Sequence, residues 1–127
     1  MNVMRVDHLV LTVADPNATV AFYGRLGMRA EAFDDGRLAL HFGQQKINLH
    51  QAGAEIDPHA AVPVPGSADI CLLVAGALEE VQAELHALGI PIELGPVDRQ
   101  GAEQRIRSLY IRDPDGNLVE LAEAITP

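Results

Sequence analysis

Two aliphatic stretches, one in each half of the chain, carry a residue that can bind a metal ion. In residues 6–13, Leu9 and Leu11 lie on one face of a predicted strand and His8 opens the other face, because side chains alternate along a strand. The second stretch, in residues 68–74, repeats this pattern with Asp69 at the place of His8. We interpret the two strands as the starts of two copies of one module, with His8 and Asp69 facing a shared cavity.

Further donors occupy two later predicted strands. Glu120 is the acidic exception between Val119 and Leu121, and Asn48 shares a strand face with His50. Imidazole and carboxylate ligands suit divalent zinc, nickel, manganese or iron. We predict a metal site of His8, Asp69 and Glu120, with Asn48 or His50 as a fourth ligand. Such a site acts as a Lewis acid on a substrate that chelates it through two oxygens.

The elements that position these residues follow the same order twice. Asp15 and Pro16 predict the start of a helix, and Gly27 predicts its end. The first half gives strands at 6–13, 28–33, 37–42 and 46–51 and a helix after Asp15. The second half gives strands at 70–74, 91–94, 105–111 and 117–123, a helix at 78–88 and a long loop at 95–104.

This order predicts an α+β fold of two paired βαβββ modules that form a curved eight-stranded sheet around a cleft. We expect a single domain over 1–127, with module 1 at about 4–51, a linker at about 52–66 and module 2 at about 67–124. The linker is rich in proline, alanine and glycine, which favours neither strand nor helix. The helix of each module covers the aliphatic strand face, and the polar faces line the cleft.

Composition narrows the range of partners. The 127 residues carry a net charge of −9, which argues against nucleic acid and anionic membrane surfaces. Cys71 is the one cysteine, so no internal disulfide forms and a reducing compartment is favoured. The apolar runs are too short for a transmembrane helix, and the first residues show no signal-peptide pattern. We expect a cytoplasmic protein that acts on a small molecule.

At both ends the sequence resembles the vicinal oxygen chelate superfamily, which includes glyoxalase I, bleomycin-binding proteins and extradiol dioxygenases. Residues 7–13, with Asp15-Pro16 and Phe22-Tyr23 after them, are similar to its opening module, and residues 112–120 are similar to its closing signature. Residues 45–50, 63–67 and 69–72 also resemble a little-characterised, virulence-associated group of glyoxalase-domain proteins. The resemblance covers essentially the whole chain and implies a homodimer, with modules that pair within or between chains.

The resemblance assigns His8 as the first metal ligand and Glu120 as the last. Asp69 stands where the second module usually brings a histidine, and Asn48 stands where glyoxalase I has a glutamate. Two of the four glyoxalase I ligands are therefore kept and two are changed. His50 serves as an alternate ligand or as an acid–base group, because imidazole changes charge near neutral pH.

Three functions follow from these residues. The first is a divalent-metal-dependent, glyoxalase-like enzyme of lyase or isomerase type, with Glu120 and His50 as catalytic groups. Its substrate pocket is predicted to be lined by Thr12, Phe42, Asn48, Cys71, Arg99 and Tyr110, with Arg105 and Arg107 as further candidates to hold an anionic end. The second is a metal-free binding module of the bleomycin-resistance type, which the lack of tryptophan disfavours. The third is a non-heme iron dioxygenase with His8, His50 and Glu120 as ligands.

Overall fold

The structure is a computed structural model and describes residues 1–125. The chain divides into two compact units, the first from Met1 to Ser67 and the second from Ala68 onward. Over the described residues each unit is one βαβββ module with a four-stranded sheet and one helix. The predicted α+β class with two such modules is therefore confirmed.

The first module consists of β1 (His8–Val13), α1 (Pro16–Arg25), β2 (Arg29–Phe33), β3 (Arg37–Phe42) and β4 (Gln45–Gln51). Its sheet has the order β1-β4-β3-β2, with β1 parallel to β4 and the other pairs antiparallel. Asp15 caps α1 by accepting a hydrogen bond from the Asn17 backbone N–H at 3.0 Å, and Gly27 follows the helix with a φ of 95°. Both predicted helix ends are confirmed.

The second module consists of β5 (Asp69–Leu73), α2 (Leu78–Ala87), β6 (Leu94–Gln100), β7 (Arg105–Arg112) and β8 (Leu118–Ala124). Its strand order, β5-β8-β7-β6, repeats that of the first module. Leu78 and Leu85 of α2 are buried, and Leu88, which follows the helix, is 38% exposed. No helix in residues 1–125 has the length and apolar character needed to cross a membrane.

The sixth strand corrects the sequence prediction. A strand was expected at 91–94 with a loop over 95–104, whereas β6 runs through Leu94–Gln100. Glycine and proline suggested a loop, but Gly95 and Pro96 form an irregularity in the pairing between Leu94 and Val97. A Cβ at Gly95 would lie 2.4 Å from the Ser108 carbonyl oxygen, and an edge strand tolerates proline because one side of it needs no hydrogen bonds.

Each core lies on the helix-facing side of its sheet. In the first module the buried side chains include Leu11, Val13, Phe22, Tyr23, Leu40 and Ile47. In the second they include Leu78, Leu85, Leu109, Ile111, Val119 and Leu121. Burial of these apolar side chains stabilises each sheet against its helix, and it leaves the opposite, polar face of each sheet available to bind a ligand.

Candidate functional site

Strand register defines the polar face of the first module, called here the first polar face. Residues directly opposite each other on neighbouring strands share a face, so the paired positions form three rows across the sheet. The rows are His8, Lys46, His41 and Arg29, then Val10, Asn48, Ala39 and Glu31, then Thr12, His50, Arg37 and Phe33. Phe42 pairs with Gln45 and therefore lies on the other face, with the apolar residues.

His8 begins β1 and is held by its neighbour. Its Nδ1 lies 2.9 Å from a carboxylate oxygen of Asp7, and this hydrogen bond lowers the pKa of Asp7. A carboxylate that accepts from Nδ1–H leaves Nε2 unprotonated and able to bind a metal, as partners of metal-bound histidines do. The imidazole is 42% exposed, so a ligand can reach it, and His8 fits the role of a metal donor.

His50 and Asn48 are buried on the same face, at 5% and 6% exposure. Within residues 1–125, both ring nitrogens of His50 and the Oδ1 atom of Asn48 are buried and have no hydrogen-bond partner. His50 lies opposite Thr12, four positions along β1 from His8, or about 13 Å at the usual strand rise. The first sheet therefore does not bring the imidazoles of His8 and His50 to one point.

A cavity of about 460 Å³ adjoins His50. Val10, Thr12 and His50 supply the sheet side, and Pro58, His59 and Ala60 of the linker supply the other side. His59 Nε2 lies 3.4 Å from an Asp57 carboxylate oxygen, so this contact is local to the linker. The cavity has the size of a small-molecule site and includes the predicted pocket residue Thr12.

The second polar face, the corresponding face of the second module, places Glu120 at its centre. Glu120 lies opposite Cys71 on β5 and opposite Tyr110 on β7, and Asp69 is two positions from Cys71 on the same face. The Ser108 hydroxyl donates a hydrogen bond to Glu120 Oε2 at 2.5 Å. One carboxylate oxygen is thereby fixed, so Glu120 fits the role of a ligand through its second oxygen or of a positioned base.

A larger cavity, of about 640 Å³, covers this face. Glu120, Cys71 and Arg99 line it together with the hairpin residues 100–104. Arg99 donates from Nε to the Tyr110 hydroxyl at 2.8 Å and lies 5.5 Å from the centre of that ring. Tyr110 therefore positions the Arg99 charge at the cavity wall, and two predicted pocket residues, Cys71 and Arg99, line this cavity.

The Cys71 thiol is held in its neutral form. Loss of hydration, followed by the charge of Glu120 and a hydrogen bond to it, raises the pKa of Cys71 to about 11. Asp69 adds a smaller effect of the same sign. A thiol that stays protonated is a poor nucleophile and a poor metal ligand, so Cys71 shapes the cavity without taking part as a thiolate.

The other candidate arginines lie away from Glu120. Arg107 pairs with Glu79 of α2, and Arg105 lies 3.8 Å from Asp98. Both occupy β7 positions that alternate with Ser108 and Tyr110, so they face the helix side. Of the three arginines considered from the sequence, Arg99 is the one on the face of Glu120.

The closing signature forms a turn held by one carboxylate. Asp113 accepts hydrogen bonds from the backbone N–H of Asp115 and of Asn117 and from the Asn117 side chain, at 2.9, 3.0 and 2.8 Å. Asn117 in turn accepts from the backbone N–H of Ala68 at 2.8 Å. These residues fasten β8 next to β5, and so they set the register that places Glu120 opposite Cys71.

The two modules place equivalent residues at equivalent positions. Asn48, opposite Val10, corresponds to Glu120, opposite Cys71, and His8 corresponds to Asp69. Within neither module, over residues 1–125, do three histidine, cysteine, aspartate or glutamate side chains gather around one point. The predicted metal ligands and catalytic residues therefore stay predictions, supported by the donors that His8 and Glu120 present.

Sequence reasoning missed Ser108, Arg37 and Lys46. Ser108 is fully buried in β7, and its signal was a small hydroxyl side chain two positions before Tyr110, on the face that Glu120 shares. Arg37 and Lys46 lie on the first polar face because of how β3 and β4 pair. The spacing of residues along one strand does not reveal this pairing.

The fold and the two polar faces place the chain in a known class. The family model of the glyoxalase/bleomycin resistance protein/dioxygenase superfamily matches residues 5–121, and the chain belongs to that family. The virulence protein STM3117 of Salmonella typhimurium is 49% identical over 126 residues, which cover 98% of this chain and 88% of that protein. Its crystal structure has a TM-score of 0.97 to this chain, with 98% and 100% of the two chains covered.

Two further relatives extend the comparison. The glyoxalase domain-containing protein RDO1 of Mycosarcoma maydis is 49% identical over 122 residues, or 96% of this chain and 69% of that protein. The crystal structure of a lactoylglutathione lyase from Agrobacterium tumefaciens is 25% identical, with a TM-score of 0.73 over 96% of this chain and 95% of the other.

Proposed function

We propose that this chain is a divalent-metal-dependent, glyoxalase-like enzyme of lyase or isomerase type that acts on a small substrate with neighbouring oxygens. The observation that carries the proposal is the setting of Glu120: a carboxylate with one oxygen held by Ser108, at the wall of a cavity of about 640 Å³. A carboxylate fixed in this way beside a ligand-sized cavity is suited to move a proton. Membership of the superfamily adds support.

The metal donors in this proposal are His8, Asp69 and Glu120. His8 offers Nε2, because Asp7 engages its Nδ1, and Glu120 offers the oxygen that Ser108 does not hold. When bound, the ion would supply Lewis acidity toward the substrate oxygens. Zinc, nickel, manganese and iron all accept such nitrogen and oxygen ligands.

The chain's own groups then perform the proton transfer and the binding. The oxygen of Glu120 that Ser108 does not hold would serve either as the metal ligand or as the group that takes or returns the substrate proton, with its orientation set by the Ser108 hydroxyl, and His50 is the second acid–base group. Arg99, positioned by Tyr110, supplies a positive charge at the cavity wall, where it favours an anionic substrate group. Cys71 contributes an uncharged thiol to the cavity wall, because its pKa is raised to about 11.

Asn48 and Asp69 depart from the glyoxalase I ligand pattern implied by the resemblance. An amide is a weaker donor than a carboxylate, and it does not act as a base. The proposal therefore names a glyoxalase-like reaction and not that of lactoylglutathione lyase. A cytoplasmic location and a homodimer belong to the same proposal, and light scattering of the purified chain measures the second of these.

The first test is metal analysis of the tag-free protein. We expect about one divalent ion per chain, lost in the His8→Ala and Glu120→Gln variants because each removes a donor. The matched controls His86→Ala and Glu84→Gln change exposed residues of α2 and should keep the metal. Iron as the bound ion would favour a dioxygenase, whereas zinc, nickel or manganese would favour the lyase or isomerase.

Failure of metal binding would overturn this proposal. If the wild-type chain takes up no ion from zinc, nickel, manganese or anaerobic iron(II), a metal-free binding module is the better account. Equal metal content in the variants and their controls would likewise remove His8 and Glu120 from the site.

A further inference from the structure

Two cationic side chains converge on one aromatic ring of the first polar face. The Arg37 guanidinium lies 5.0 Å, and the Lys46 ammonium 4.2 Å, from the centre of the Phe33 ring. Lys46 occupies the first row of this face and Phe33 the third, so Lys46 reaches toward Phe33 across the position of Ala39. The methyl side chain of Ala39, which is fully buried, leaves room for this arrangement.

Neither cation forms a salt bridge within residues 1–125, in contrast to other arginines of the chain, although the charge of Lys46 contributes to the lowered pKa of Asp7 and of Glu31. Arg29 pairs with Glu31 at 2.5 Å, Arg105 with Asp98 at 3.8 Å and Arg112 with Glu93 at 3.0 Å. In a chain with a net charge of −9, carboxylates are abundant, so two adjacent cations without a salt bridge are unusual. Their repulsion favours a bound anion near them.

Buried polar atoms beside these cations lack hydrogen-bond partners. They are Arg37 Nε, Asn48 Oδ1 and both ring nitrogens of His50, counted over the described residues. Asn48 and His50 are each more than nine-tenths buried, and buried polar groups are normally paired. Asn48 lies between Lys46 and His50 on β4, and Arg37 is on the neighbouring strand, so the four side chains surround one patch of the face.

We infer that this patch binds the carboxylate or phosphate group of a small molecule. The Arg37 guanidinium donates from Nε and an adjacent nitrogen, a geometry that matches two oxygens of such a group. Lys46 adds charge, and a His50 N–H donates a further hydrogen bond. The unpaired Oδ1 of Asn48 is an acceptor, so it suits a hydroxyl or N–H group of the same ligand and not the anionic oxygens. The uncharged part of the ligand then occupies the cavity of about 460 Å³ that His50 shares with the linker.

This inference uses none of the proposed metal ligands His8, Asp69 and Glu120, so loss of the metal site would leave it in place, although it shares His50 with the proposed acid–base chemistry. Glu31, on the same face, is paired with Arg29 at 2.5 Å, lies 3.5 Å from His41 and is also influenced by the charge of Lys46. Lys46 is therefore shared with this acid, whereas Arg37 is not. A patch with two cations selects ligands with at least one negative charge.

The test is isothermal titration of metal-stripped protein with inorganic phosphate and, separately, with malonate, at an ionic strength fixed with sodium chloride. We expect saturable binding by the wild-type chain to at least one of them. Arg37→Gln and Lys46→Gln should each weaken it by at least tenfold. The matched control Arg105→Gln, which removes an exposed arginine of the other module, should bind as the wild type does.

The pattern of responses identifies the charged group. Binding of phosphate alone indicates a phosphoryl ligand, binding of malonate alone indicates a carboxylate, and binding of both indicates recognition of the oxyanion that they share. If Arg37→Gln does not fold, as judged by circular dichroism, the Lys46→Gln titration decides. Absence of saturable heat in the wild type, or equal affinity in Lys46→Gln and Arg105→Gln, would overturn the inference.

Discussion

Glu120 and Cys71 are the residue pair whose chemistry is most directly measurable. They lie opposite each other on β8 and β5, and the carboxylate contributes to the high pKa of the thiol, about 11. At pH 8 such a thiol is about 0.1% thiolate, against about 10% for a thiol with the ordinary pKa of 9.0. The folded chain therefore holds this proton more tightly than the unfolded chain does. The stability that results is present below about pH 9 and is lost as the pH rises toward 11.

Alkylation of Cys71 by iodoacetamide measures this effect. We expect the wild-type rate at pH 8 to be about 100-fold below that of an unstructured cysteine peptide and to rise about tenfold per pH unit. Glu120→Gln removes the carboxylate charge, so the pKa of Cys71 should fall and the rate at pH 8 should increase. Glu84→Gln, on the exposed side of α2, serves as the control. A rate in Glu120→Gln equal to the wild-type rate would show that the carboxylate does not influence the thiol.

At the scale of elements, the closing turn fixes the strand register on which the second cavity depends. Asp113 is 6% exposed and accepts three hydrogen bonds across the turn between β7 and β8. A buried carboxylate with several N–H donors stabilises a turn strongly, and its removal leaves those donors without a partner. In this chain the turn of the closing signature therefore has a structural role, and Glu120, at the end of the signature, is the proposed functional residue.

Asp113→Ala is expected to lower the free energy of unfolding by about 3 kcal/mol, because buried donors lose a charged acceptor. Urea unfolding followed by circular dichroism measures this change. Asp98→Ala, at an exposed pair with Arg105, should change stability by no more than about 0.5 kcal/mol. A small, equal effect of both substitutions would show that the Asp113 hydrogen bonds contribute little.

The same elements show what a single sequence conveys. Alternation of apolar residues predicted the first strand and the two aliphatic faces, and helical spacing with cap residues predicted both helices, because burial imposes a regular period on each kind of element. It failed at β6, where the Gly95-Pro96 pair is accommodated at a sheet edge, and it did not reveal the pairing of Ser108 with Glu120. Such cross-strand contacts depend on register, and register is set by turns and long-range pairing that local spacing does not encode.

At the scale of the whole molecule, the two modules have the same strand order but carry different side chains at equivalent positions. The second module has Glu120 at the position where the first has Asn48. Arg37 and Ser108 also occupy equivalent positions. Arg37 lies two residues before Ala39, the β3 partner of Asn48, and Ser108 lies two residues before Tyr110, the β7 partner of Glu120. The second polar face thus contributes the acids Asp69 and Glu120 to the proposed metal site, whereas the first contributes Arg37 and Lys46 to the proposed anion patch.

Asn48→Glu tests this division of roles between the modules. The substitution places a carboxylate at the first-module equivalent of Glu120, so it should increase affinity for zinc or nickel by at least tenfold if the proposed metal site is correct. In the metal-free protein the new charge is buried, which should lower the melting temperature, and added metal should restore it.

The same charge next to Arg37 and Lys46 should abolish phosphate or malonate binding. Asn48→Gln, which keeps the amide, is the control, and equal metal affinity in the two variants would mean that this position lies outside the metal site.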